Sequence, residues 1–440
     1  MTRERLDGLY LVLFGAIVFI LVGSALENAA PVSAADFRVM YYSTRCFLSR
    51  CDSYNVDELK KFYHDHGGET AADTPTIRLT ETQYIYAPSA FSIVAPFAML
   101  PFQPAHLAWL SLTAAVFIVA ALLIWDTAAQ HSPVLSGALV CLLLANSELF
   151  LILGNPAGMA ISCCVIAVVC FLRNRFVFLG VLCFAISLML KPHDSGLVWL
   201  YFLLSGSLNR KRALQVVAIA TLLSLPSILW ITHTAPTWIQ EMSANLAANG
   251  APGGLSDPGP NSMAAHGIGM LISLQSVFSL IRDEPGFYNP ASYLVCGVLL
   301  CAWLLKTVRS KFTTEAAWFA LAPVALITML PIYHRIYDAR LMLLVVPACA
   351  ILWAKGGVRA WIAVALSAVS ALVTGGVPWA IFLAVIKKVR LPGLLGTNES
   401  LLILQVVPVP LVLLIAGCFF LWVYQQCGSD SISDESLEQI

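Results

Sequence analysis

Apolar runs of membrane-crossing length recur along this chain, separated by short polar connections. They fall near 9–26, 104–124, 133–153, 156–172, 176–190, 195–206, 213–230, 291–305, 315–332, 339–353, 357–375 and 400–424. A helix crossing ~30 Å of hydrocarbon needs about 20 mostly apolar residues, so the shorter runs must draw on flanking polar positions. The stretch 376–388 stays open to two readings: an extension of its neighbour beyond the "GGVP" break, or a further short helix. The pattern predicts an all-α, polytopic transmembrane helical protein with about 11–13 spans.

Two stretches interrupt the rhythm. Residues 27–88 and 231–290 are polar enough to stand outside the lipid. Within the first, Phe37, Met40, Tyr41, Phe47 and Leu48 share one side of a 3.6-residue period, which suits a helix lying on the membrane surface. The run 89–102 is short and holds two prolines, so it reads as interfacial or re-entrant. The expected division is a first span (1–26), a loop with interfacial helices (27–103), a transmembrane core (104–230), a second loop (231–290), C-terminal transmembrane helices (291–426) and a disordered acidic tail (427–440).

Composition agrees with this picture. Hydrophobic residues make up 59 % of the chain and charged ones 11 %, against about a quarter charged in soluble domains. Most of the exterior must therefore face lipid. A net charge of zero gives no sign of nucleic-acid binding. "MTRERLDG" before the first apolar run reads as the start of a retained span rather than of a cleaved signal. Most of the twelve cysteines sit inside apolar runs, where Cys behaves as a small hydrophobe. No Cys/His spacing suggests zinc, and no metal or cofactor is expected. Cys46 and Cys51 lie together in a polar segment. Whether they pair depends on whether that segment faces an oxidising compartment.

Basic residues set the orientation. With "MTRER" in the cytoplasm and the spans alternating, "RNR" (173–175), "NRKR" (209–212), "KTVRSK" (306–311) and "KGGVR" (355–359) all fall inside, as the positive-inside rule requires. The parity holds only if 89–102 and 265–281 do not cross. "KKVR" (387–390) fits less well. The same count puts both loops, "GNP" (154–156), "KPHDS" (191–195) and "YHRIYDAR" (333–340) on the extracytoplasmic side.

The polar groups gathered on that face include Asp36, Arg38, Tyr86, Glu148, Asn155, Lys191, His193, His334, Arg335, Tyr337 and Asp338. Each alone fits an interfacial anchor. "SAAD" also gives Asp36 the spacing of a helix-capping box with Ser33. As a set they offer more. Lys, His and Arg near a bilayer surface suit a lipid phosphate, and a carboxylate beside them suits deprotonation of a hydroxyl. Those are the parts needed to transfer a group from a lipid phosphate to an alcohol. Glu148 is a second acid near a span end, a functional candidate or the partner of a polar neighbour.

"ADFRVMYY", "YIYAPSAFSIVAPFAMLPFQPAHLAWL", the "GN" ending one span, "LMLKPH" ending another and "YHRIYDARLMLLVVP" follow one another in order. Together they resemble glycosyltransferase family 87, membrane transferases that use polyprenyl-phosphate sugars and include mycobacterial mannosyltransferases. The resemblance implies a GT-C-type helical fold in the cell (inner) membrane, with an extracytoplasmic active site. It implies a polyprenyl-phosphate monosaccharide donor, mannose favoured, an inverting reaction onto a glycolipid or glycan acceptor, and no nucleotide-sugar pocket. The family's catalytic aspartate maps onto Asp36, its donor-phosphate histidine onto His334 and its recurring lysine onto Lys191, with Arg335 beside them. The chain departs from the family at "YAP" (86–88), where "YPP" is common, at Leu153, where Gln is common, and in the charged insertion 57–73. A transporter or flippase of lipid-linked sugars is the alternative, although it asks for midplane sites and inverted repeats that the chain does not display.

Overall fold

The computed structural model describes residues 2–30, 34–66, 83–262, 265, 271–389 and 398–427. The chain opens with α1 (Arg3–Ala29), then the short helices α2 (Ala35–Leu48), α3 (Val56–Asp65) and α4 (Ser89–Ala98) before the long α5 (Phe102–Ala128). There follow α6 (Pro133–Ala145), α7 (Leu149–Leu153), α8 (Ala157–Leu172), α9 (Val177–Leu190), α10 (Pro192–Leu204) and α11 (Ser207–Thr234). The second loop carries α12 (Trp238–Gly250) and α13 (Leu274–Ser279) and leads to α14 (Pro285–Arg309) and α15 (Thr314–Ile327). A 3₁₀ helix, Ile336–Val345, runs into α16 (Val346–Lys355), followed by α17 (Val358–Val373), α18 (Gly376–Val389), α19 (Asn398–Val406) and α20 (Pro408–Gln426). Among the described residues there is no strand, only one isolated bridge between Leu271 and Arg335.

Among the described residues, seven helical segments suffice by length and composition to cross a membrane, or eight if the pair α17–α18, bent by 79°, counts as one span. The protein is a multi-pass membrane protein. The expected eleven to thirteen spans exceed this number for a physical reason. α8, α9 and α15 have 16, 14 and 14 residues, or roughly 21–24 Å at 1.5 Å per residue. α8 and α15 are buried almost throughout. A helix enclosed by protein is apolar all round whether or not it meets lipid. The run 195–206 proves to be α10, only 13 residues long. The run 400–424 divides at Val407, where Pro408, lacking an N–H, starts a new helix. The ambiguous 376–388 is the separate helix α18. On the periphery Phe14, Leu21, Phe178, Leu222, Leu294 and Trp361 are exposed, as lipid contact allows.

Close helix contact fastens the start of α1 to α6. A Cβ on Gly8 would lie 2.3 Å from the Pro133 carbonyl oxygen, and one on Gly137 would lie 2.5 Å from that of Gly8. Only glycine lets α1 and α6 approach so nearly. The apolar stripe of α2 is used differently from the expectation. Phe37, Met40, Tyr41 and Phe47 are buried, but against protein, and Leu48 is exposed. Phe37 stacks on Trp109 with ring centroids 5.2 Å apart, and Phe47 on Phe91 at 4.4 Å. A Cys46–Cys51 disulfide closes the end of α2. Part of the charged insertion forms α3, which Asn55 caps by accepting from the amides of Asp57 and Glu58. Positions 67–73, Ser33, Arg390 and the acidic tail from 428 lie outside the described residues.

Candidate active site

The "GN" pair is a hinge with a purpose. Gly154 ends α7 with φ +61°, a left-handed conformation that glycine adopts without penalty. A Cβ there would also stand 2.8 Å from Cβ of Phe37. Trp109 Nε1 donates to the Gly154 carbonyl at 2.8 Å, and the Ala34 amide donates to that of Ile152 at 2.9 Å. The start of α2 is thus docked on this turn, and Asn155 meets Asp36. Asn155 Nδ2 donates to Asp36 Oδ2 at 2.6 Å and to the Tyr337 hydroxyl at 2.9 Å. Its Oδ1 accepts from the Ala157 amide at 2.8 Å, which fixes which end of the amide faces Asp36.

Asp36 does not cap its helix. The N-cap, Ala34, supplies no side-chain cap, and the carboxylate is turned to Asn155 instead. Burial lifts its pKa above the ordinary carboxylate value. The Asn155 bond and the charges of Arg335 and Lys191 pull the other way without cancelling that lift, and Asp338 adds to it. A carboxylate shifted upward binds a proton more readily, as a base near neutrality should.

Asp36 opens on a cleft of about 70 Å³, lined also by Tyr86, Asn155, Tyr333, Arg335 and Tyr337. The second loop closes it with Asn249 and Leu255. Arg335 is the cation on its wall. Its Nε donates to the Tyr333 hydroxyl at 2.5 Å and one terminal nitrogen donates to the Leu255 carbonyl at 3.1 Å. The bridge at Leu271 ties the same loop down, with Ile272 N–H donating to the His334 carbonyl at 2.7 Å.

Lys191 stands behind this wall, 3 % exposed. Its ammonium hydrogen-bonds Asp338 Oδ1 and lies 3.5 Å from Asp194 Oδ2. It also sits 5.0 Å from the centre of the Tyr337 ring. Asp338 Oδ2 accepts from the Arg335 amide at 2.9 Å. The turn carrying Arg335 is therefore fastened to Lys191 through one carboxylate. His334 is fully buried and faces Asp194, with His193 beside it, ring centroids 4.9 Å apart.

Five of the expected residues, Asp36, Tyr86, Asn155, Arg335 and Tyr337, thus share one cleft. Lys191, His193, His334 and Asp338 form a layer behind it. Arg38 lies instead over the Phe102 ring, 4.5 Å from its centre. Glu148 is elsewhere too: its Oε1 accepts from the Val377 amide at 2.9 Å, at the start of α18. Tyr333, Asn249 and Leu255 were not anticipated. Tyr333 adjoins "HR" in the chain, which is a usable signal; for the two loop residues the chain offers none. A larger groove of about 630 Å³ between α4, α5, α8 and α9 is lined mainly by apolar side chains and carries no carboxylate.

Glycosyltransferase family 87 matches this chain over residues 84–333, more than half its length. No curated protein and no solved structure matches it. Asp36 and the segment from His334 onward lie outside the matched part, and the hydrogen bonds of Asn155, inside it, connect Asp36 and Tyr337 to it. The chain belongs to glycosyltransferase family 87 and is a membrane glycosyltransferase.

Proposed function

We propose that the enzyme moves a sugar, mannose favoured, from a polyprenyl-phosphate donor to a hydroxyl of a glycolipid or glycan, with inversion, on the extracytoplasmic face of the inner membrane. The observation that carries this reading is the meeting of Asp36 with Arg335 across one cleft that both polar loops close. The acceptor hydroxyl gives its proton to Asp36 as its oxygen attacks the anomeric carbon. The bond from that carbon to the phosphate oxygen breaks, and the electron pair leaves with polyprenyl phosphate. Arg335 stabilises the departing phosphate. Lys191 and His334 serve the phosphate from the second layer, Lys191 by fixing Asp338 and hence the Arg335 turn. The Cys46–Cys51 bridge supports an oxidising, extracytoplasmic side for the first loop.

The direct test is Asp36→Asn with polyprenyl-phosphate mannose and membrane acceptors. General-base catalysis contributes about 10²–10⁴-fold, so transfer should fall by that much while donor binding persists. Transfer at the wild-type rate removes Asp36 from the mechanism.

A further inference from the structure

In the layer behind the cleft, three side chains meet around one oxygen. His193 Nε2 lies 3.6 Å and His334 Nε2 3.4 Å from Asp194 Oδ1. Among the described residues, neither imidazole Nε2 nor either Asp194 oxygen has a hydrogen-bond partner. Among the described residues, the one further ionic neighbour of Asp194 is Lys191, on its other oxygen. Asp194 is 2 % exposed and His334 0 %. Buried polar atoms without hydrogen bonds cost about 1–3 kcal/mol each, and such a group in a folded protein calls for an explanation.

The arrangement fits a bound cation. Ligand atoms at about 2.0–2.2 Å from a tetrahedral ion stand roughly 3.3–3.6 Å from one another, the spacing seen to Asp194 Oδ1. The ligand atoms of all three residues lie within 4.8 Å of one another. The protonation pattern fits as well. His334 Nδ1 is 3.2 Å from the Ile332 carbonyl, and a carbonyl only accepts, so Nδ1 carries the proton. In the neutral ring Nε2 then turns a lone pair toward Asp194, with the backbone holding the ring as in established metal sites. Charge points the same way: Lys191 alone faces two carboxylates, Asp194 and Asp338.

From these observations we infer that His193, Asp194 and His334 bind one divalent transition-metal ion. Two imidazoles and a carboxylate suit Zn²⁺ best. Three protein ligands leave a fourth position for water or an anionic oxygen. Where the transfer reading holds, His334 serves the donor phosphate through this ion; the metal site itself does not depend on that reading.

The test uses full-length protein in nanodiscs, purified without a histidine tag, stripped by chelator and titrated with Co²⁺ and then Zn²⁺. The expected result is about one equivalent of Co²⁺ with the visible absorption bands of a four-coordinate site, lost when Zn²⁺ displaces it. His193→Ala and His334→Ala should each weaken binding by about 100-fold or more, since even outer-shell changes cost 10–100-fold. Asp36→Asn lies outside the trio and should bind metal as wild type does while failing in transfer, so the two readings fail separately. Wild-type protein that takes up no Co²⁺ overturns the inference, whatever the folding of the variants. Binding that is unchanged in both histidine variants overturns it too.

Discussion

Replacing Asn155 by alanine probes the site at the contact that joins its two halves. The side chain donates to Asp36 at 2.6 Å and to Tyr337 at 2.9 Å. A hydrogen bond to a charged group contributes about 1.5–3 kcal/mol, and one pKa unit corresponds to about 1.36 kcal/mol. The donor stabilises the ionised carboxylate, so its loss should raise the Asp36 pKa further. A general base must be ionised to act. The rate therefore rises with pH through that pKa, and the acid limb of the profile should move to higher pH in Asn155→Ala. The assay is initial-rate transfer from a radiolabelled polyprenyl-phosphate sugar, with protein in nanodiscs, between about pH 5 and 9. Recovery of most of the rate at the alkaline end is the expected signature of Asp36 as base. An acid limb that stays in place, with rate lost equally at every pH, would refute the reasoning.

Asp36→Asn should also raise the melting temperature at neutral pH. Because folding lifts the Asp36 pKa, the folded state favours the protonated form. Its contribution to stability is complete below the ordinary carboxylate pKa and is lost as pH rises through the lifted one; a neutral Asn escapes that loss, whereas a capping role would make the variant melt lower. Lys191→Met strands Asp338 and Asp194 in a buried site, and chemical denaturation should register a loss of about 3–5 kcal/mol, recovered only in part when Asp338→Leu is added, because Asp194 stays without its cation. Gly154→Ala places a methyl 2.8 Å from Phe37 Cβ at a residue with φ +61°. It should lower thermal stability by roughly 1–3 kcal/mol and slow transfer together, because the turn orients Asn155. Alkylation of unfolded, unreduced protein followed by mass spectrometry should find Cys46 and Cys51 unlabelled, and labelled after reduction.

The helical fold was legible in the chain because apolar runs report on lipid, and the cleft brings together Asp36, Asn155, Arg335 and Tyr337, which the chain offers at the ends of separate apolar runs. The number of crossings was not legible. Burial inside protein and immersion in lipid select the same residues, so apolar character alone does not separate α8 and α15, of 16 and 14 residues, from the longer helices. Which charges touch the cleft was also hidden. Lys191, Arg335 and Asp338 sit at similar span ends, and only tertiary contact decides that Arg335 lines the wall while Lys191 anchors it. Glu148 shows the same limit: an acid near a helix end reads alike whether it meets a substrate or holds a backbone amide. Asp194 lay in plain view beside "KPH", but its partner His334 comes from a remote part of the chain, and no local spacing joins them.

The narrowness of the cleft has a kinetic consequence. Pockets that hold drug-sized ligands span about 300–1,000 Å³, so about 70 Å³ around Asp36 cannot admit a phosphorylated sugar. On the proposed reaction the cleft has to widen to take its donor, and the segment bearing Asn249 and Leu255 lines it from the second loop. It is held there by the Arg335 guanidinium, which stabilises the departing phosphate in the proposed reaction, and further along by Asn245, which donates to the Tyr54 and Tyr84 carbonyls. An arriving anion would compete for that guanidinium, so binding would itself loosen the latch, and the pace of catalysis would follow the opening of this flap rather than the breaking of the glycosidic bond.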